Sequence, residues 1–169
     1  YGSIEGLVTC AGITNPHAFL ETPDDEWQSL FETNVLGTVR FCRALIPHFQ
    51  DQGGGRVVTI ASLRAYPQAA FRPAYAATKA AIVTLTASLA KEFSPRIGIN
   101  CVAPGFTETD MAKTWDPALL ERARDGSLLR RIANPTEIAE AISFLLSDRA
   151  SFIQGQTMLV DGGYIIAQN

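Results

Sequence analysis

Short apolar runs alternate with long amphipathic stretches, and this alternation constrains the fold more than any other feature of the chain. The apolar runs are residues 6–10, 56–61, 97–102 and 157–160. They do not alternate polar with apolar residues, which is typical of strands covered on both faces. Strands separated by helices form parallel sheets. The sequence therefore predicts an α/β fold with a doubly wound, Rossmann-like parallel sheet.

Helical periodicity fills the segments between these strands. Helices are predicted at residues 24–49, 73–93 and 136–146. Asp24 or Asp25 can cap the first helix, and Pro73 suits the first turn of the second. The polar segment 106–131 is predicted to be an irregular flap with short helices. Its Trp115 either covers substrate or packs the flap against the body of the protein.

Size and charge narrow the class of protein. A chain of 169 residues suggests a single domain, and a net charge of −3 gives no reason to expect nucleic acid or an anionic membrane as a partner. No apolar run is long enough to span a bilayer. Cys10, Cys42 and Cys101 lie far apart in apolar stretches, so we expect reduced thiols that fill the core of a cytoplasmic protein.

Three residues have spacings that suit proton transfer. Ser62 stands thirteen residues before Tyr75, and Lys79 follows Tyr75 by four. Ser62 follows the second predicted strand, at the sheet edge where ligands bind in open α/β folds, and residues i and i+4 share a helix face. The three side chains can therefore converge. A lysine beside a tyrosine lowers the phenol pKa, and a serine can hydrogen-bond the same substrate oxygen. Such a set suits interconversion of a carbonyl and an alcohol.

Five motifs in register resemble the short-chain dehydrogenase/reductase family. They are Ser62, the Tyr75-Ala-Ala-Thr-Lys79 motif, Asn34 in "ETNVLG", "APGFTETDM" and the C-terminal "GQTMLVDGG". Together they cover essentially the whole chain in the family's order. The spacing of four between Tyr75 and Lys79 is that of the family's dehydrogenases, and the longer gap of its enoyl reductases is absent.

The resemblance implies a role for each matched residue. Tyr75 would be the general acid/base, Lys79 would also hold the nicotinamide ribose, and Ser62 would orient the substrate carbonyl. Asn34 would help to hold a water that links Lys79 to solvent. The cofactor, NAD or NADP, would also contact Cys10, Ala11, Gly12, Pro104, Gly105, Thr107 and Thr109. No metal is expected. The substrate would be a small secondary alcohol or ketone.

The family's glycine-rich phosphate loop has no counterpart in the sequence. Gly53, Gly54 and Gly55 lie between a helix end and a strand start, which is the wrong junction for holding a pyrophosphate. We therefore expect residues 1–169 to be a single domain that forms the C-terminal half to two-thirds of a Rossmann-type enzyme. Activity would require the segment that carries this loop.

Several alternatives remain open on the sequence alone. The chain resembles both 3-oxoacyl carrier-protein reductases and general alcohol dehydrogenases. A non-catalytic truncated relative that acts as a binding or assembly partner is the rival hypothesis, although the intact Ser62, Tyr75 and Lys79 argue against it. We expect a homodimer or homotetramer formed through the helices of Asn34 and Tyr75. Arg64 and Arg72 either hold an acidic substrate group or are solvated surface residues.

Overall fold

The computed structural model describes residues 2–66 and 72–167, apart from the side chain of Thr114. The strands are β1 (Gly6–Thr9), β2 (Gly55–Ile60), β3 (Ile97–Pro104) and β4 (Thr157–Val160). The helices are α1 (Asp24–Phe31), α2 (Gly37–Asp51), α3 (Pro73–Phe93), α4 (Pro117–Gly126), α5 (Pro135–Leu146) and α6 (Tyr164–Ala167). A π-helical turn, Glu32–Leu36, joins α1 to α2, and a 3-10 turn, Leu63–Ala65, follows β2.

The four strands form one parallel sheet in the order β1-β2-β3-β4. Leu7 lies opposite Val57, which lies opposite Ile99. This topology confirms the predicted α/β fold. All carboxyl ends of parallel strands meet at one edge of the sheet, so the loops after β1, β2 and β3 open onto a common region.

Helices cover both faces of the sheet. On one face, α2 and α3 enclose a cluster that contains Phe49, Val57 and Ile99. On the other face, α5 packs Ile138 and Leu145 against Val58 and Val102. Each fully buried aliphatic or aromatic side chain stabilises the fold by about 1.5–3 kcal/mol relative to exposure. The three layers hold the sheet rigid beneath its ligand-binding edge.

The expectation that every strand is buried on both faces is wrong for β1. Residues along β1 alternate between exposed and buried, with Leu7 facing the core and Val8 36% exposed. In the described part of the chain β1 pairs with β2 alone and lies at the sheet edge. By contrast, the central residues of β3 are buried on both faces.

The helix predicted over residues 24–49 is interrupted. Its first residue follows Pro23, which makes no side-chain cap, so neither Asp24 nor Asp25 caps α1 as expected. The π-helical turn then inserts between α1 and α2, and α2 continues past Pro47 to Asp51. Short π turns inside helices are rare and frequently occur at functional sites. This one presents Asn34 to the interior.

Two further boundaries differ from the sequence prediction. β3 continues to Pro104, because the N–H of Gly105 donates to the carbonyl of Val160 at 2.8 Å and keeps the strand paired with β4. The segment expected to be an irregular flap contains the ten-residue helix α4, which Asp116 caps by accepting a hydrogen bond from the N–H of Ala118. Helix α3 has the predicted ends. Within the described ranges, no helix is long and apolar enough to cross a membrane.

Candidate active site

Ser62 occupies the turn directly after β2. Its backbone is extended, and its Oγ accepts a hydrogen bond at 3.1 Å from the N–H of Arg64, which caps the 3-10 turn that follows. A serine hydroxyl can accept this bond and still donate its own hydrogen. The turn therefore fixes the Ser62 side chain at the edge of the sheet while leaving it able to bind a substrate oxygen.

Tyr75 and Lys79 lie one turn apart on α3. The Lys79 Nζ is 5.7 Å from the centroid of the Tyr75 ring and donates to the carbonyl of Ile60 at 2.9 Å. Lys79 is only 5% exposed, so its ammonium group is held at the end of β2 rather than in solvent. An ammonium group has three donors. Since one binds Ile60, the others can reach ligand hydroxyls at this edge.

Asn34 ties the loop after β1 to α3. Its Oδ1 accepts from the N–H of Ile13 at 2.8 Å, and its Nδ2 donates to the carbonyl of Ile13 and to the Thr78 Oγ1, both at 3.0 Å. The Thr78 hydroxyl in turn donates to the carbonyl of Tyr75 at 2.7 Å. Thr78 was not singled out from the sequence. A threonine three residues after the tyrosine in a helix was the available signal, because its hydroxyl can bond a carbonyl one turn earlier.

Gly12 brings the chain backbone next to Lys79. A Cβ at this position would lie 3.2 Å from the Asn34 Oδ1 and 3.5 Å from the Lys79 Nζ. Gly12, Asn34 and Lys79 thus lie next to one another at this edge of the sheet. Their expected roles in cofactor binding and in holding a water stay predictions. Cys10 was wrongly expected to fill the core. It is exposed, because β1 ends at Thr9 and the chain leaves the sheet, whereas Cys42 and Cys101 are buried.

The residues after β3 form a separate strap at the same edge. A Cβ at Gly105 would lie 2.6 Å from the Asp161 Cα, so only glycine lets these backbones approach. The Thr107 hydroxyl donates to the carbonyl of Gly105 at 3.1 Å, and the N–H of Thr109 donates to the carbonyl of Thr107 at 3.0 Å. These bonds stay within the strap and do not reach Tyr75 or Lys79. The cofactor roles assigned to Pro104, Gly105, Thr107 and Thr109 stay predictions.

The environment of Tyr75 favours its protonated form. Burial raises the pKa of the Tyr75 phenol, and this outweighs the lowering by a hydrogen-bonding interaction with Ser62 and by the positive charges of Arg72 and Arg64. The direction is opposite to the sequence-based expectation of a lowered pKa. Burial likewise lowers the pKa of Lys79. In this environment, burial is thus the dominant influence on the pKa of both groups.

Aromatic side chains wall the site on the side of the strap. The Phe106 ring makes edge contacts with Trp115 at 5.4 Å and with Tyr164 at 5.1 Å between ring centroids. Of the two roles considered for Trp115, this contact supports packing of the flap. Tyr164 was not singled out from the sequence. It begins α6 directly after the "DGG" motif, and only the fold carries it to Phe106.

A parallel sheet with a serine, a tyrosine and a lysine near its carboxyl edge is the arrangement expected of an α/β oxidoreductase. A family model described as Enoyl-(Acyl carrier protein) reductase matches residues 1–165. The chain is 39% identical over 168 residues to the 3-oxoacyl-[acyl-carrier-protein] reductase of Salmonella typhimurium. This alignment covers 96% of this chain and 67% of the relative. The chain belongs to the short-chain dehydrogenase/reductase family.

Solved structures agree with this assignment. A gluconate 5-dehydrogenase from Burkholderia cenocepacia, in complex with NADP and tartrate, superposes with a TM-score of 0.92 at 30% identity, over 96% of this chain and 65% of that one. A 4-hydroxyisoleucine dehydrogenase complexed with NADH superposes with a TM-score of 0.87 at 28% identity, over 96% of this chain and 69% of that one. The chain thus spans about two thirds of the length of its relatives.

Proposed function

We propose that the whole protein is an NAD(P)-dependent oxidoreductase that interconverts a secondary alcohol and a ketone, with Tyr75 as the general acid/base. The observation that carries this proposal is the arrangement of the Ser62 hydroxyl against the Tyr75 phenol, with the buried Lys79 ammonium one helical turn away. The relatives' names refer to 3-oxoacyl groups, gluconate and 4-hydroxyisoleucine, and each of these carries an oxo or hydroxyl group.

In the direction of reduction, Tyr75 donates its proton to the substrate oxygen while the carbonyl carbon becomes the alcohol carbon. When bound, the reduced nicotinamide supplies the hydride, so that ketone, NAD(P)H and one proton give alcohol and NAD(P)⁺. Ser62 donates a hydrogen bond to the same oxygen and holds it near Tyr75. In the direction of oxidation, the same phenol receives the hydroxyl proton.

The family and its NADP-bound and NADH-bound members support NAD or NADP as the cofactor. The residues present fit such a group. Lys79 has ammonium donors available for ribose hydroxyls, and Gly12 leaves space beside that ammonium. We propose that the remaining cofactor contacts are Cys10, Ala11, Pro104, Gly105, Thr107 and Thr109. The pyrophosphate would bind a glycine-rich loop in the third of the family's length that this chain does not span.

The surroundings of the site support the other proposed properties. Leu36 and Phe41 are 43% and 59% exposed beside the π turn that carries Asn34. Exposed apolar side chains of this size favour association, so we propose a homodimer or homotetramer through the helices of Asn34 and Tyr75. Three free thiols support a cytoplasmic location. The relatives named for small hydroxy acids support a small-molecule substrate.

The rival role is that of a non-catalytic binding or assembly partner. A role in binding alone would not require a buried lysine, a serine and a tyrosine around one point. The family model's description raises a second reaction, reduction of an enoyl group. The spacing of four residues between Tyr75 and Lys79 favours the ketone.

The replacement of Tyr75 by phenylalanine tests the proposed function. In the whole protein, Tyr75→Phe removes only the hydroxyl, so kcat for ketone reduction should fall about 10²- to 10⁴-fold. NADPH affinity, measured by fluorescence titration, should stay within about threefold of wild type because the ring remains. Tyr66→Phe is the matched control. It removes the hydroxyl of a half-buried tyrosine just beyond the Ser62 turn and should leave kcat unchanged.

Three results would overturn the proposal. The first is a Tyr75→Phe protein that keeps more than a tenth of wild-type kcat. The second is equal losses in the Tyr75 and Tyr66 variants. The third is wild-type protein that reduces an enoyl thioester but no ketone. In that case the family assignment would stand and the reaction would be the other one.

A further inference from the structure

Arg64 has hydrogen-bonding capacity that the described chain does not use. Its Nη1 is buried and has no hydrogen-bond partner among residues 2–66 and 72–167. Its guanidinium carbon lies 5.9 Å from the centroid of the Phe106 ring. A buried donor without a partner is unfavourable, and for a charged group the cost is greater. The position therefore suits a ligand atom that accepts this hydrogen bond.

The guanidinium group of Arg64 lies near enough to the Tyr75 phenol for its positive charge to lower the pKa of that phenol. Arg64 belongs to the turn that Ser62 caps, through the 3.1 Å bond from the Arg64 N–H to the Ser62 Oγ. Phe106, against which the guanidinium packs, also contacts Tyr164. A ligand that accepts a hydrogen bond from the Nη1 would therefore bind on the side of the site that Arg64 and Phe106 share with Tyr75.

A second arginine approaches from the start of α3. Arg72 stands three residues before Tyr75, and its Nη1 lies 3.5 Å from the Thr14 Oγ1. Its backbone has a φ of 62°, in the left-handed region that few residues other than glycine adopt. Such conformations cost free energy and cluster at ligand sites. The positive charge of Arg72 acts on both Arg64 and Tyr75, so this second cation lies near the same groups.

No carboxylate of the described residues pairs with either arginine. The salt bridges in this part of the chain involve other residues. Burial and the positive charge of Arg72 both lower the pKa of Arg64. Two cations that repel each other beside a neutral phenol favour the binding of an anion. Guanidinium groups match carboxylates particularly well, because the planar fork can donate two parallel hydrogen bonds.

We propose that Arg64, assisted by Arg72, binds a carboxylate group of the substrate, so that the substrate pair is an oxo acid and the corresponding hydroxy acid. The inference rests on the proposed function and names its substrate class. The carboxylate takes no part in the chemistry: the oxo acid, NAD(P)H and one proton give the hydroxy acid and NAD(P)⁺. The three probe acids below, with the ketone two, three or four carbons along the chain, measure the separation of carboxylate and ketone.

Paired substrates test the proposal in the whole protein. The probes are pyruvate, 3-oxobutanoate and 4-oxopentanoate, each compared with its ethyl ester, and the N-acetylcysteamine thioester of 3-oxobutanoate. At least one acid should have a kcat/KM above that of its ester. Arg64→Gln should lower kcat/KM for that acid about 10- to 100-fold, as expected for hydrogen bonds between charged groups. Its kcat/KM for the ester should change less than threefold, which shows that Ser62 still functions.

Two further variants are needed. One distinguishes the positive charge of Arg64 from the bidentate geometry of its guanidinium group, and the other measures the effect of losing an arginine far from the site. Arg64→Lys keeps the charge but loses the bidentate fork, so its kcat/KM for the acid should lie between those of wild type and Arg64→Gln. Arg96→Gln removes an exposed arginine at the opposite end of β3 and should match wild type. Two results would overturn the inference while leaving the proposed function intact. One is a kcat/KM that is higher for the esters or the thioester than for every acid. The other is an equal loss of kcat/KM for acid and ester in Arg64→Gln.

A binding measurement decides the inference even if no probe is turned over. In the presence of NAD⁺ or of NADP⁺, each tested in turn, the hydroxy acids that correspond to the three oxo acids should raise the melting temperature of the wild-type protein, and this shift should vanish in Arg64→Gln. Inorganic phosphate is the comparison anion. No shift with any hydroxy acid, or an equal shift with phosphate, would overturn the inference. Failure of the proposed function would appear separately, as the absence of turnover with every ketone and ester.

Discussion

Asn34 should couple the stability of the fold to the geometry of the site. Its side chain is 1% exposed and makes three hydrogen bonds, two to the backbone of Ile13 and one to Thr78. Asn34→Ala would leave these groups without their partner. Orphaned buried groups cost about 1–3 kcal/mol each. Ile13 is 39% exposed, so water can replace part of the loss, and Thr78 keeps its bond to Tyr75. We expect a net loss of about 3 kcal/mol.

Urea unfolding followed by circular dichroism would measure this loss. With a typical denaturant dependence of about 2 kcal/mol per molar urea, the midpoint should fall by about 1.5 M. kcat/KM should also fall, because the freed loop carries Gly12 beside Lys79. Asn100→Ala is the matched control: Asn100 is 2% exposed and likewise binds two backbone groups, at 2.8 and 3.0 Å, but away from the site. It should lose comparable stability and keep wild-type kcat/KM. A loss below 1 kcal/mol in Asn34→Ala, or equal losses of activity in both variants, would refute the reasoning.

Two other substitutions test single contacts. Lys79→Ala should weaken NAD(P)H binding at least tenfold by fluorescence titration, because the ammonium at the end of β2 is lost. Lys91→Ala, on the exposed side of the same helix, is the control and should bind NAD(P)H normally. Equal affinities in the two variants would exclude the role of Lys79 in binding the ribose. Gly105→Ala should lower the melting temperature by several degrees, because the added Cβ would lie 2.6 Å from the Asp161 Cα. Gly2→Ala is the control and should leave the melting temperature unchanged, because a Cβ at Gly2 would have no neighbouring atom within 4 Å. An unchanged melting temperature in Gly105→Ala would show that the strap moves freely.

The local pattern of residues was sufficient to predict most of the helices and strands and to single out the candidate reacting side chains. The two ends of α3 follow from Pro73 and Pro95. Pro73 suits the first turn of a helix, and Pro95 cannot continue one, so both effects are local. The alternation of apolar runs and helices was sufficient for the parallel sheet. The spacing of Tyr75 and Lys79 placed both on one face of that helix, because an α-helix repeats every 3.6 residues. Ser62 followed from the position of its strand.

The tertiary structure alone decided the properties that depend on distant parts of the chain. The periodicity of residues 24–49 does not predict the π turn at Asn34, because the Asn34 side chain binds Ile13 and Thr78, which lie elsewhere in the sequence. The extension of β3 to Pro104 depends on β4, which lies more than fifty residues further along the sequence. The direction of the Tyr75 pKa depends on how much of the phenol the fold removes from water, and no spacing of charges encodes that. The same holds for Arg64. The sequence left open whether it holds an acidic substrate group or is a solvated surface residue, and the fold left it with a buried donor. Local patterns report on neighbours within a helical turn or a strand, whereas burial and the partners of a polar atom are set by segments that meet only when the sheet has formed.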